Sequence, residues 1–291
     1  ISIENTESID KFINKIGQTN VTNNIVSDSI ANNNSNKNLI LIVVESLNSE
    51  VIGATINGNK VTPVLESLLS EEGTVSSLNM VTQVYKGGSS DGQLLINTGL
   101  LPIATEAASM SYSDRIELPS LVKKLRKDNN IAVFADDASS WKQKEVYYNF
   151  GFDSVFCSED FKDDIEEFGS DASMFRYGEN LIAEIKDSFF IEFITISMHV
   201  PFDEAGFPRK SWLESVDMAT SDRNYLNAVN YFDTELGKFL NWLKDNNLYD
   251  NSLIVIVSDH SQTVDDIYTG NIYEKGMAFI AVNTGITDKI E

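Results

Sequence analysis

The chain has 291 residues, 42% of them hydrophobic, enough to bury the core of one large α/β domain. Its 22 basic and 44 acidic residues leave a formal charge of −22, so the long-range field repels polyanions and nucleic acid is excluded as an expected partner. A single cysteine, Cys157, rules out an internal disulfide and, beside Phe156, reads as a small buried hydrophobe.

The sequence begins at Ile1, and residues 1–37 are polar and asparagine-rich, as in Asn32-Asn33-Asn34-Ser35-Asn36. They read as a flexible lead-in to a processed or truncated chain, ahead of a single domain that starts near residue 38. No apolar run approaches the roughly 20 residues needed to cross a bilayer. The first strand, 39–44, ends in Glu45. Thr62-Pro63 then opens a helix whose apolar face is Val64, Leu65, Leu68 and Leu69. A strand over 75–82 leads into the glycine-serine segment Lys86-Gly87-Gly88-Ser89-Ser90-Asp91. Helix 119–128, strand 131–135, helix 141–149, helix 171–187 and strand 189–197 follow in alternation. Over 222–246, Tyr225, Val229, Phe232, Leu236, Phe239 and Leu243 recur at helical steps and predict one buried stripe. Strands 253–258 and 277–282 complete the pattern. Strands alternating with amphipathic helices predict a doubly wound, mostly parallel central sheet flanked by helices.

Both histidines follow apolar runs directly: His199 after Phe193-Ile194-Thr195-Ile196-Ser197-Met198, and His260 after Leu253 to Val257 and Ser258-Asp259. In an open α/β sheet, ligands collect outside the carboxyl ends of the strands, so Glu45, His199 and the Asp259-His260 pair are expected on one rim. The two glycines allow a tight turn before Ser89, and the following residues can start a helix whose free N–H groups favour an anion. Ser89 is therefore the candidate nucleophile, with helix capping as the plain alternative and Ser90 as the second hydroxyl. Glu45, Asp259, His260 and a serine oxygen form an oxygen-rich donor set with one imidazole. It suits one divalent ion, manganese first, with magnesium or zinc as alternatives. His199 is expected to contact the substrate or its leaving group.

Val43-Val44-Glu45-Ser46-Leu47, Gly88-Ser89-Ser90-Asp91, Ser197-Met198-His199-Val200-Pro201-Phe202, Tyr225 to Asp233 and Ser258-Asp259-His260 stand in a telling order. Together they resemble the lipoteichoic acid synthase-like branch of the sulfatase and alkaline phosphatase superfamily, over residues 38–283. The resemblance implies an alkaline phosphatase/sulfatase-like fold and a membrane-anchored, extracytoplasmic transferase or phosphodiesterase. Such an enzyme moves a phosphoglycerol-type group from a lipid- or glycan-linked donor through a covalent hydroxyl intermediate. Carried over, it implies a catalytic domain over 38–291, with Glu45, Ser89, Asp259 and His260 as metal ligands. Ser89, where the branch usually has threonine, would be the nucleophile, and His199, Trp141, Ser90 and Asp136 the substrate-binding residues. Phosphoglycerol-transferring members carry a histidine and an arginine where this chain has Ala135 and Gln143, so a cationic clamp is missing, with Lys142 or Lys144 as candidate substitutes. Asp136 and Asp137 either touch a cationic or hydroxyl-rich substrate or are surface charges. Relatives continue with another helix after the strand matching 277–282, so residues 284–291 read as an artificial end. A sulfatase-like hydrolase is the rival reading, although Ser89-Ser90-Asp91-Gly92-Gln93 lacks the proline and arginine of a formylglycine context. A binding domain with a decayed site is the other.

Overall fold

The computed structural model describes residues 37–103, 105–114, 118–138, 140–161, 170–202, 209–261 and 276–286. The lead-in expected over 1–37 lies, except for Lys37, outside the described residues, as do 287–291. The strands are β1 (Asn38–Val44), β2 (Thr55–Ile56), β3 (Asn59–Lys60), β4 (Val75–Met80), β5 (Asn129–Phe134), β6 (Ser154–Phe156), β7 (Phe189–Ile194), β8 (Ser252–Ser258) and β9 (Met277–Val282). The helices are α1 (Pro63–Leu68), α2 (Ser89–Thr98), α3 (Ala108–Tyr112), α4 (Leu121–Leu125), α5 (Gln143–Phe150), α6 (Ser158–Phe161), α7 (Asp171–Glu184), α8 (Ser211–Glu214) and α9 (Thr220–Asp245).

A seven-stranded sheet in the order β4-β9-β8-β1-β7-β5-β6 forms the centre, and β2 and β3 make a separate small hairpin. The five strands from β8 to β6 run parallel, so the expected parallel core is present. The sheet is mixed as a whole, because β9 runs antiparallel to both β8 and β4. Side chains alternate across the sheet. Ile40, Ile42 and Val44 of β1 pack with Tyr225, Phe232 and Phe239 of α9 and Phe175 of α7 in one core. Leu39, Leu41 and Val43 face the other way, onto Leu94 of α2 and Val146, Tyr147 and Phe150 of α5. Burial on both faces is why β1 reads as an unbroken apolar run.

The stripe predicted on α9 is fully buried, and Phe239 stacks on Phe175 with ring centroids 4.9 Å apart. Other elements are shorter than their sequence patterns, for local reasons. The helix expected over 119–128 is the single short α4, begun by Ser120 Oγ accepting the Lys123 N–H and ended by left-handed Arg126 (φ 52°). The helix expected from 141 starts at Gln143, because Trp141 (φ 53°) and Lys142 (φ 52°) both adopt left-handed backbone. The strand expected over 189–197 stops at Ile194, because the N–H groups of Ile196 and Ser197 donate instead to Asp171 Oδ1, at 2.9 and 3.2 Å.

β7 also carries one carboxyl into the second core. Glu192 is fully buried, and its Oε1 accepts from the Tyr147 hydroxyl at 2.7 Å and from Asn97 Nδ2 at 2.9 Å. Burial pushes its pKa from 4.5 up to about 7 against the pull of those two donors. A carboxyl with a raised folded-state pKa adds stability that is complete below 4.5 and is lost as pH climbs through 7. Glu192→Gln removes this dependence. Its stability relative to the parent is expected to improve by up to about 3 kcal/mol between pH 4.5 and 7.5, with the change confined to that window. Urea unfolding of both proteins across that range measures it, and a constant difference would show that Glu192 is ionised throughout.

Candidate active site

β1 and β8 are neighbours, so their carboxyl ends bring Glu45 beside Asp259 and His260. Backbone bonds tie these ends together. The Asp259 N–H donates to the Val44 carbonyl at 3.1 Å, and the Ser46 N–H donates to Asp259 Oδ1 at 2.8 Å. The Glu45 N–H is taken by Thr195 Oγ1, just past β7, at 2.9 Å, and the Ser46 hydroxyl donates to Glu45 Oε1 at 2.7 Å. Ser46 has left-handed backbone (φ 52°), a conformation that costs of order 1 kcal/mol and persists where the surroundings enforce it.

Ser89 arrives from the opposite side, as the first residue of α2. Gly88, with φ of 49°, occupies the N-cap, so the Ser89 hydroxyl makes no capping bond and the plain capping alternative does not apply. Asp91 shapes the turn from below. It is fully buried and accepts backbone N–H groups from Tyr85 (2.9 Å) and Gly87 (3.0 Å) on Oδ2 and from Ala108 (2.9 Å) on Oδ1. Residue 87 must be glycine, since a Cβ there would lie 2.2 Å from Asp91 Oδ1.

Ser89 Oγ donates to Glu45 Oε2 at 2.6 Å and lies 3.3 Å from His260 Nε2. His260 Nε2 is 3.5 Å from Glu45 Oε1 and 3.8 Å from Asp259 Oδ2, and one donor atom from each of Glu45, Asp259 and His260 lies within 4.8 Å of the other two. The other imidazole nitrogen, Nδ1, faces the Ser261 carbonyl at 3.2 Å, which assigns its proton there and leaves the Nε2 lone pair facing the cluster. Glu45 and Asp259 are nearly inaccessible, at 5% and 3% exposure. Burial, then the charge of Glu45, holds the Asp259 carboxyl well above the usual carboxylate range. Burial pulls the His260 imidazole down, but Asp259 and Glu45 outweigh it and raise it. Two buried carboxyls and one imidazole are a donor set that could hold one cation.

Glu45, Ser89 and His260 line a pocket of about 180 Å³ with Ser46, Lys86, Gly87, Gly88, Trp141, His199 and Val200, while Asp259 joins Glu45 and His260 without lining it. His199 Nδ1 faces the Val200 carbonyl at 2.8 Å, which leaves Nε2 as the nitrogen open to a ligand. Of the residues singled out in the sequence, the structure thus gathers Glu45, Ser89, Trp141, His199, Asp259 and His260. Two others fall elsewhere. Ser90 is buried, its hydroxyl donating to Ser109 Oγ at 2.8 Å and accepting the Ser109 N–H at 3.1 Å, so it faces the α2–α3 contact and not the pocket. Asp136 Oδ1 accepts the Asp137 N–H at 2.7 Å, and neither residue lines the pocket. Ala135 and Gln143 are buried outside it, and Lys144 lies 3.9 Å from Asp160. The sequence reading had no role for Ser46, Thr195, Asp91 or Lys86. The first two lay in view as polar residues directly after apolar strands, and Lys86 stood in the quoted glycine-serine segment. Cys157 is buried as expected, and burial pushes its thiol up to about 12, which makes it an inert core atom.

A mostly parallel sheet that sets acidic and imidazole donors at adjacent strand ends, facing a hydroxyl at a helix N-terminus, is an α/β arrangement able to hold a cation beside that hydroxyl. The sulfatase family model matches residues 37–286, and the chain belongs to that family. Within it, the chain is a lipoteichoic acid synthase-like member. Lipoteichoic acid synthase 2 of Bacillus subtilis is 28% identical over 263 residues, 87% of this chain and 38% of the relative. Lipoteichoic acid synthase of Staphylococcus aureus is 29% identical over 231 residues, 77% of this chain and 36% of the relative. The crystal structure of the lipoteichoic acid synthase LtaP from Listeria monocytogenes superposes with a TM-score of 0.73 at 27% identity, covering 87% of this chain and 67% of that one. The chain therefore spans under two fifths of the length of these curated relatives. Among the described residues, no helix is long and apolar enough to cross a membrane.

Proposed function

We propose that this chain is the catalytic domain of a metal-dependent phosphoryl-group transferase or phosphodiesterase, with Ser89 as the nucleophile. The observation that carries the reading is the Ser89 hydroxyl held 2.6 Å from Glu45 and 3.3 Å from His260, inside a cluster of buried acidic and imidazole groups. Glu45, Asp259 and His260, joined by the Ser89 oxygen, would hold one divalent ion. The oxygen-rich donor set favours manganese or magnesium. When bound, that ion lowers the pKa of a hydroxyl and offsets charge on a phosphoryl oxygen.

The residues themselves account for the proton and bond changes. Ser89 Oγ attacks phosphorus as the bond from phosphorus to the leaving alcohol breaks, and the hydroxyl proton departs along its hydrogen bond to Glu45. His199 gives a proton from Nε2 to the departing oxygen. A water or alcohol then loses its proton to His199 and attacks phosphorus, while the Ser89 oxygen leaves and recovers its own proton from Glu45. Trp141 forms the exposed wall of the pocket. At about 180 Å³ the pocket is smaller than the roughly 300–1,000 Å³ that engulf drug-sized ligands, so it suits a phosphate-bearing headgroup whose larger remainder lies outside. The relatives' name, lipoteichoic acid synthase, supports a lipid-linked substrate of the cell envelope, and the phosphoglycerol-type group, the glycan-linked alternative and the extracytoplasmic, membrane-anchored setting rest on the motif resemblance.

A panel of activated aryl phosphodiesters, aryl phosphates and aryl sulfates, assayed with manganese, magnesium or chelator, tests the reading. Manganese-dependent hydrolysis of bis(4-nitrophenyl) phosphate, lost with chelator, is the expected result. Preference for the sulfate would make the protein a sulfatase, and turnover of no ester would make it a binding domain.

A further inference from the structure

The cationic clamp that the family resemblance implies falls on Ala135 and Gln143 here, and that leaves a charge problem. Glu45 and Asp259 together offset a divalent cation, so an incoming phosphodiester adds an uncompensated negative charge, and the charge on its oxygens grows as Ser89 attacks. Neither Lys142 nor Lys144 lines the pocket, and Ala135 and Gln143 are buried away from it. Among the described residues that do line it, Lys86 is the one lysine or arginine.

The backbone around Lys86 is built to hold it there. Tyr85 and Gly87 each donate an N–H to the same buried oxygen, Asp91 Oδ2, at 2.9 and 3.0 Å, so the residues on both sides of Lys86 are pinned to one fixed point. Asp91 is also the third residue of α2, so the carboxylate that fixes Lys86 belongs to the same first helical turn as Ser89 and joins the two in one unit. No described acidic side chain makes an ion pair with Lys86, which is exposed and lines the same pocket as Ser89. An ammonium is a flexible point charge where a guanidinium is a rigid fork, so it tolerates placement from a neighbouring loop.

We propose that Lys86 is the phosphate-binding cation of this site, taking a non-bridging oxygen of the substrate in place of the clamp absent at Ala135 and Gln143. This rests on the phosphoryl-transfer reading above. It makes the pocket selective for anionic phosphoryl groups carried on an uncharged or weakly charged headgroup, since a single mobile ammonium offers no second fixed cation.

Lys86→Met keeps the aliphatic stem and removes the charge, and Lys86→Arg restores it. Two readouts are compared in the manganese-loaded protein: kcat/KM on bis(4-nitrophenyl) phosphate, and calorimetric binding of inorganic phosphate. A charge-assisted hydrogen bond of the usual strength predicts a fall of about 10- to 100-fold in both for Lys86→Met, with manganese affinity and thermal unfolding unchanged. Lys86→Arg is expected to recover most of the loss. If Lys86→Met matches the parent within about twofold in phosphate binding, the proposal is overturned whatever the turnover. If the parent binds phosphate, loses it in Lys86→Met and yet turns over no phosphodiester, Lys86 stands and the transferase reading falls. Failure of both proteins to bind phosphate overturns the assignment of Lys86.

Discussion

Ser89→Ala is expected to abolish phosphodiester turnover, a loss of at least about a thousandfold in kcat, while manganese still binds. The hydroxyl is the part of the cluster that no other described group replaces. Ser90, adjacent in sequence, is turned into the α2–α3 contact with Ser109, 2.8 Å away, so it has no route to the substrate. The three remaining donors, Glu45, Asp259 and His260, keep their own positions, because their backbone ties run between β1, β8 and the end of β7 and do not involve Ser89. A steady-state assay on bis(4-nitrophenyl) phosphate with a parallel manganese titration separates chemistry from metal binding. Near-parental activity in Ser89→Ala would mean that water attacks phosphorus directly and the serine is a bystander.

The second large effect comes from a residue with no functional group. Gly92 lies in the first turn of α2, and a Cβ placed on it would sit 2.4 Å from the carbonyl oxygen of Asp259 and 2.9 Å from its carbonyl carbon. These are backbone atoms at the end of β8, so they cannot swing aside as a side-chain tip would. Gly92→Ala must therefore push the start of α2 away from the strand end, separating Ser89 from Asp259 and His260. A displacement of about 1 Å in a reacting group costs on the order of a hundredfold in rate. Gly92→Ala is expected to show that loss, together with weaker manganese binding and a destabilisation of about 3 kcal/mol from the overpacked contact. Activity assay, calorimetry and denaturant unfolding check the three effects. Unfolding alone without loss of activity per folded molecule would show that the site tolerates the shift.

The parts of the site legible in the sequence are those that sheet physics makes legible. β1, β7 and β8 are covered on both faces, so their apolar runs stand out, and a polar residue at the end of such a run is conspicuous. Glu45, His199, Asp259 and His260 were visible for that reason, and the structure brings Glu45, His199 and His260 to one pocket with Asp259 clustered against Glu45 and His260. What the sequence hid depends on rotation and on distant backbone. Consecutive residues on a helix point about 100° apart, so the difference between Ser89 in the pocket and Ser90 in the interior is set by where α2 begins, which the letters Gly-Gly-Ser-Ser do not fix. Asp136, just past the end of β5, was expected to bind substrate or to be a surface charge, and β5 lies two strands from β1 with β7 between, which puts its rim away from the cluster. Lys86 and Asp91 were invisible as a pair because their relation runs through main-chain N–H groups. Trp141 was expected on a helix, but it lines the pocket from a left-handed turn that no residue propensity announces.

The central claim is that four donors from three separated segments share one cation. Anomalous diffraction at the manganese edge, from crystals grown with the metal, tests it most directly. The expected map has one strong peak about 2 to 2.6 Å from an oxygen of Glu45, an oxygen of Asp259 and Nε2 of His260, with Ser89 Oγ beside it. A strong peak elsewhere with these residues bare of metal, or a peak that His260 and Glu45 do not share, would contradict the account.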